Sequence, residues 1–237
     1  MCRLALVAAL EREVRPLIKE WRGHAREHGG RSFTFYENGK AVVVCGGIGT
    51  EAARRAAEAV TVLYAPDVVY SVGYAGALDS ALKVGNLVRP ARVVNAGDGS
   101  STAIVQGSGV LVSQTRPATV ADKSRLREAY GAHSVDMEAA AVARAAEARS
   151  VAFRAVKVIS DEFDFELPAT GRFVDTEGRF QEARFALFAA LRPWLWPRVI
   201  QLARNSARAT RVLCAELRHI TGEDASVAST AQLTERQ

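Results

Sequence analysis

Cysteine is scarce in this chain, and its placement excludes several kinds of site. The three cysteines, Cys2, Cys45 and Cys214, lie far apart. No CxxC pair or Cys/His cluster occurs, so nothing has the spacing of a zinc site. Unpaired thiols in a reducing cytoplasm fit this usage best. No apolar run reaches the roughly 20 residues that a membrane-spanning helix needs. The nucleotide fingerprints GxGxxG and GK[ST] are also missing. The opening MCRLALVAAL has an apolar centre like that of a signal peptide. Glu11-Arg12-Glu13 follows at once with no cleavage segment, so it reads as a first strand.

What is present describes a globular α/β chain. Its 237 residues, 49% hydrophobic and 24% charged, suit one domain, or one domain with an appendage. A net charge of +5 could suggest nucleic acid or an anionic surface. Through residues 1–170 the basic side chains are spread thinly, which argues against nucleic acid.

Acidic side chains fall where strands give way to helices. Residues 4–10 form a continuous apolar run, as in a strand covered on both faces. Glu13 follows, and Val14, Leu17, Ile18 and Trp21 then keep helical spacing. Asp136 and Glu138 open the alanine-rich run SVDMEAAAVARAAEA. Ser160-Asp161 closes a strand-like run at residues 153–159. Each acid has a plain structural reading: first-turn acids suit the helix dipole, and Ser160-Asp161 could cap the next segment. Yet in open α/β sheets ligands bind at the carboxyl ends of strands.

The rest of the chain supplies turns and backbone. Residues 31–36 and 40–45 read as a hairpin around Glu37-Asn38-Gly39. Gly46-Gly47-Ile48-Gly49-Thr50 leads into an alanine-rich helix at 51–64. Such a turn either packs closely on a sheet or cradles an anion. A strand at 68–72 runs into Gly73-Tyr74-Ala75-Gly76, where missing Cβ atoms let backbone approach a ligand. A strand at 109–113 and helices at 123–130 and 179–190 follow.

The run VDMEAAAVA, followed by a strand and ISD, resembles the nucleoside phosphorylase and nucleosidase superfamily, and in it the methylthioadenosine/S-adenosylhomocysteine nucleosidases. Leu82-Lys83-Val84-Gly85-Asn86-Leu87-Val88 is similar to the family's L-K-V-G-D-I-V, and residues 73–77 to its G-S-A-G-G. The resemblance spans about residues 1–170. It implies a three-layer α/β fold, a mixed central sheet flanked by helices. It implies that Met137 and Glu138 hold the ribose, that Asp161 of the Ser160-Asp161 pair protonates the purine, and that Glu13 orients water. The backbone of Gly73, Tyr74, Ala75 and Gly76 would face the nucleoside. No metal or cofactor is implied, with phosphate entering only as a co-substrate. A homodimer is the family's habit.

The chain also departs from that pattern. Tyr74 stands where the family has a small serine. The segment after Asp98 is short, which opens the side of the site that receives the 5′ end. Gln114-Thr115-Arg116-Pro117-Ala118 replaces the family's base-stacking aromatic. Residues 191–222 form a basic amphipathic helical extension, with Trp194 and Trp196 beside Arg198, Arg204, Arg208, Arg211 and Arg218. Such a helix, here residues 191–220, can lie on an anionic bilayer at the inner face of a membrane or pack on its own domain. Residues 223–237 are small and polar and read as disordered, which leaves 1–190 as the main domain. DEFDFELP, the short middle and RPWLWP…LARNSARA resemble the hopanoid-associated phosphorylase branch. That branch is implicated in releasing adenine from adenosylhopane, whose 5′ carbon bears a large lipid.

The reading is therefore cleavage of a purine nucleoside's N-glycosidic bond. A leaving base gains negative charge, and a positioned acid helps by about 10²–10⁴-fold. The phosphorylases' G-D-P-x-R segment is absent and Glu13 would repel phosphate, which favours hydrolysis; Lys157, Arg89 and Arg92 stay open as an anion site. An ordinary nucleosidase, a phosphorylase and a non-enzymatic docking module on the same fold are the alternatives.

Overall fold

Runs of branched residues alternate with alanine-rich helices, and the chain packs them in three layers. The computed structural model describes residues 3–167 and 170–223. Cys2, Pro168 and the polar tail from 224 onward lie outside the described residues. In chain order the elements are β1 (Leu4–Ala8), α1 (Glu11–Ile18), β2 (Arg22–His28), β3 (Arg31–Asn38), β4 (Ala41–Cys45) and α2 (Thr50–Tyr64). Next come β5 (Val68–Ala77), β6 (Leu87–Val88), β7 (Arg92–Asn95), β8 (Ser101–Ala103), β9 (Val110–Ser113) and α3 (Val120–Tyr130). The last are β10 (Ser134–Asp136), α4 (Ala139–Glu147), β11 (Ala152–Asp161), α5 (Glu182–Ala190) and α6 (Trp196–Thr221).

The sheet runs β2-β3-β4-β1-β5-β10-β9-β7-β8, with β11 paired to β5 and β6. It is mixed: β1 is parallel to β4 and β5, and β11 to β5, while β2, β3 and β4 are antiparallel in turn. Strand side chains alternate between faces. Ala5 and Val7 therefore meet α2 and α4 through Ala53, Ala56, Ala57, Val60 and Val142. Leu6 and Ala8 meet the opposite layer, built by Val14 and Leu17 of α1 and Leu213 and Leu217 of α6. Alanine on α2 and α4 lets those helices approach closely, and each buried Leu or Val contributes about 1.5–3 kcal/mol.

β5 runs five residues beyond the expected end at Val72, because β11 and β10 carry its ladder past Gly73 to Ala77. β2 has no counterpart among the expected strands. Its sequence RGHAREH is polar on both faces, and only pairing with β3 makes it a strand. α3 starts at Val120, before the expected 123, because Thr119 and Asp122 form a reciprocal capping box.

The basic C-terminal helix has two halves. Ala209, Leu213, Cys214 and Leu217 are fully buried and complete one layer of the fold. Arg218 Nη2 donates to the Pro16 carbonyl at 2.7 Å. Glu223 Oε1 accepts from Trp21 Nε1 at 2.6 Å and from Asn38 Nδ2 at 2.8 Å. The first half leaves the sheet and runs over the carboxyl ends of the strands.

Candidate active site

Three strand ends meet under that first half. β5 ends beside Gly76, β10 at Asp136 and β11 at Asp161, and a cavity of about 570 Å³ opens among them. Glu13, Met137, Glu138, Ser160 and Asp161 line it, as do the apolar Leu167, Val174, Phe180, Phe185, Val199 and Leu202 and the charged Arg12, Arg116 and Glu182.

Glu13 is buried at the start of α1, and its Oε2 is one of three buried side-chain oxygens without a hydrogen-bond partner among the described residues. Burial, and then the charge of Glu138, push its carboxyl up to about 7, while Lys157 and Arg12 offset part of that rise. Gly73 does not line the cavity but makes room for this carboxylate. A Cβ there would stand 2.7 Å from Glu13 Oε2, and its φ of +137° suits glycine.

Glu138 lies between β10 and α4. Its Oε1 accepts from Gly49 N at 2.9 Å and its Oε2 from Met137 N at 3.2 Å. Desolvation, reinforced by Asp136, raises its carboxyl above the ordinary range even though Lys157 opposes this. The glycine-rich turn 46–50 is thus bound to the site through Glu138. Asp136 instead has the structural role open to it. Its Oδ2 accepts from Ala139 N at 2.9 Å at the start of α4, and its Oδ1 accepts from the Ser113 hydroxyl.

Lys157, named in the sequence only as a candidate anion contact, is fully buried under this group. Its Nζ lies 2.8 Å from Asp136 Oδ2. Desolvation disfavours its charge, but Asp136 and Glu138 outweigh that and raise its pKa. Of its proposed companions, Arg89 pairs with Glu216 and Arg92 is exposed on β7. Lys157 is therefore enclosed by carboxylates and is no ready anion receptor.

Asp161 ends β11 at a bulge after Ile159. Its Oδ1 accepts from the Ser160 hydroxyl at 2.9 Å. Its Oδ2 lies 2.6 Å from Lys123 Nζ, a contact that no local pattern in the sequence signals. Gly76 permits this placement, since a Cβ there would stand 2.8 Å from Asp161 Oδ2. Ala75 and Gly76 line the cavity. Tyr74 does too, but its hydroxyl is turned to α6, 2.5 Å from Thr210 Oγ1 and 3.3 Å from the Ser206 carbonyl. Burial pushes this phenol up to about 12, so it stays neutral and ties helix to sheet. Segment 114–118 contributes Arg116, Pro117 and Ala118 and no aromatic ring.

The phosphorylase superfamily's sequence model matches residues 3–121 and 100–192. The chain belongs to that superfamily. Solved structures share this superfamily member's architecture at low identity. A 5′-methylthioadenosine/S-adenosylhomocysteine nucleosidase from Colwellia psychrerythraea 34H, in complex with adenine, is 23% identical with a TM-score of 0.60, covering 68% of this chain and 83% of that one. Native Helicobacter pylori futalosine hydrolase is 18% identical with a TM-score of 0.59, covering 68% and 88%. A Helicobacter pylori 5′-methylthioadenosine/S-adenosyl homocysteine nucleosidase bound to a pyrrolidine ligand is 15% identical with a TM-score of 0.66. It covers 94% of this chain and 98% of its own, so the likeness extends into α6. No curated protein matches the chain.

Proposed function

We propose that this superfamily member hydrolyses the N-glycosidic bond of a purine nucleoside with a large apolar 5′ substituent. The observation that carries this is the cavity's lining, which joins Glu13, Glu138 and Asp161 to apolar side chains of the 167–185 region and α6. Glu13, with a free buried oxygen, orients and deprotonates water. Glu138 accepts ribose hydroxyls with Met137 against the sugar, and Asp161 meets N7 of the base. Ser160 and the backbone of residues 73–76 frame the nucleoside. Phosphate needs convergent cations and N–H donors, whereas Lys157 sits among carboxylates. That favours water over phosphate, and no cofactor enters the scheme. The solved relatives named as nucleosidase and hydrolase fit this choice.

The apolar part of the lining suits a lipid better than the small 5′ group of methylthioadenosine, so adenosylhopane in hopanoid biosynthesis is the specific substrate proposed. The same region is built to meet a bilayer. Leu187, Leu191, Trp194, Trp196 and Ile200 are exposed. Residues 183–215 hold six arginines (184, 192, 198, 204, 208 and 211) and no acid. Tryptophans beside arginines suit an anionic lipid interface. Among the described residues no helix is long and apolar enough to cross a membrane, so this contact is peripheral.

Presenting substrate in vesicles tests both points. Adenine release from adenosylhopane in anionic vesicles should exceed release from methylthioadenosine or inosine. Trp194→Ala with Trp196→Ala should slow the vesicle reaction while sparing the same reaction in detergent. Faster turnover of methylthioadenosine, with no response to vesicles, would make this an ordinary nucleosidase. Release from none of them would leave a binding module.

A further inference from the structure

A buried lysine stands behind Asp161. Lys123, on α3, has no exposed surface. Its Nζ donates to Asp161 Oδ2 at 2.6 Å, to the Glu162 carbonyl at 2.5 Å and to the Phe165 carbonyl at 3.4 Å. All three ammonium protons therefore have acceptors. The surrounding charges are engaged elsewhere. Asp122 is taken by Thr119, Arg116 and Arg125, Glu162 by Lys83, and Glu166 by the Val120 amide. Among the described residues, Lys123 makes the one ion pair of Asp161.

A buried ion pair is rarely retained for stability, because desolvation cancels most of the attraction and an apolar residue of similar size does as well. Methionine would fill the same space. The pair is explained better by its place directly behind the group that faces the departing base.

We infer that Lys123 is a positioning residue that holds Asp161 toward the base and replaces the proton Asp161 gives up. The inference rests on the proposed glycosidic cleavage. As the C1′–N9 bond breaks, its electron pair goes to the purine. Starting from the ammonium–carboxylate pair, one proton in all moves, from Lys123 Nζ to Asp161 and from Asp161 on to N7. The neutral base leaves behind a neutral lysine and a carboxylate. Water adds to C1′ and gives its proton to Glu13, and both groups re-equilibrate with solvent before the next turnover. Any leaving group that departs without a proton bypasses this route.

The test compares two leaving groups on one sugar: the adenine nucleoside and the matching p-nitrophenyl riboside, whose phenolate needs no proton. In Lys123→Met, kcat for the adenine nucleoside should fall about 10²-fold. Its KM, and kcat for the nitrophenyl compound, should change by no more than about threefold. Equal loss on both substrates would make the lysine a structural group and overturn the inference, as would unchanged adenine release. Should the variant not fold, the wild-type protein decides the matter in heavy water. Adenine release should show the larger solvent isotope effect, and equal effects would overturn the relay. A wild-type protein that cleaves neither substrate removes the functional reading itself, and this inference with it.

Discussion

Asp161→Asn is expected to lower kcat for adenine release by about 10²–10⁴-fold, the usual worth of a positioned acid, with KM changed little. The reason lies in the leaving group. A purine departs poorly as an anion, and Asp161 is the carboxyl at the end of β11 that lines the cavity with both oxygens already oriented, by Ser160 and Lys123. An amide keeps the shape and loses the transferable proton. Lys123 would then be buried beside a neutral group, so stability should fall as well. Removing one partner of a buried pair costs about 3–5 kcal/mol. Steady-state rates and a thermal melt on the same sample check both. A kcat within threefold of wild type would remove Asp161 from the mechanism.

Glu13→Gln should abolish release almost completely while making the protein more stable at alkaline pH. Burial beside Glu138 raises the Glu13 carboxyl from 4.5 to about 7. As a base it must be ionised, so wild-type kcat/KM should rise about tenfold per pH unit below 7 and level off above it. Stability moves the opposite way. A carboxyl raised on folding contributes its full stability below the unfolded value near 4.5. That contribution is lost as pH rises through about 7, a change on the order of 3 kcal/mol. The amide side chain of the variant cannot ionise, so Glu13→Gln should match wild type near pH 4 and exceed it near pH 8. Denaturant melts at the two pH values decide this. A variant no more stable at pH 8 would contradict the burial argument.

Much of this site could be read from the sequence because its acids sit at chain junctions. Glu13 follows an apolar run, Glu138 opens an alanine-rich helix, and Asp161 closes a strand, and the cavity collects all three. The two cations were harder to read. Lys157 lies within an apolar strand, and Lys123 looks like one of several surface charges on α3. Each takes its meaning only from a partner elsewhere in the chain, Asp136 and Asp161. Asp136 and Glu138 also look alike in sequence, though one caps α4 and pairs with lysine while the other lines the cavity. Tyr74 stands where the related pattern has serine, and its purpose depends on Thr210, 136 residues away. β2 carries no apolar face to announce it. α6 was legible as a basic amphipathic helix, but only packing separates its buried second half from the first half over the site.

In the proposed reaction water, directed by Glu13, attacks the sugar. This attack is tested most directly by turnover of the lipid nucleoside in ¹⁸O-labelled water, with and without phosphate. One ¹⁸O at C1′ of the released sugar, equal rates in both buffers and no sugar phosphate are expected. A sugar 1-phosphate formed only when phosphate is present would contradict it and make this member of the superfamily a phosphorylase.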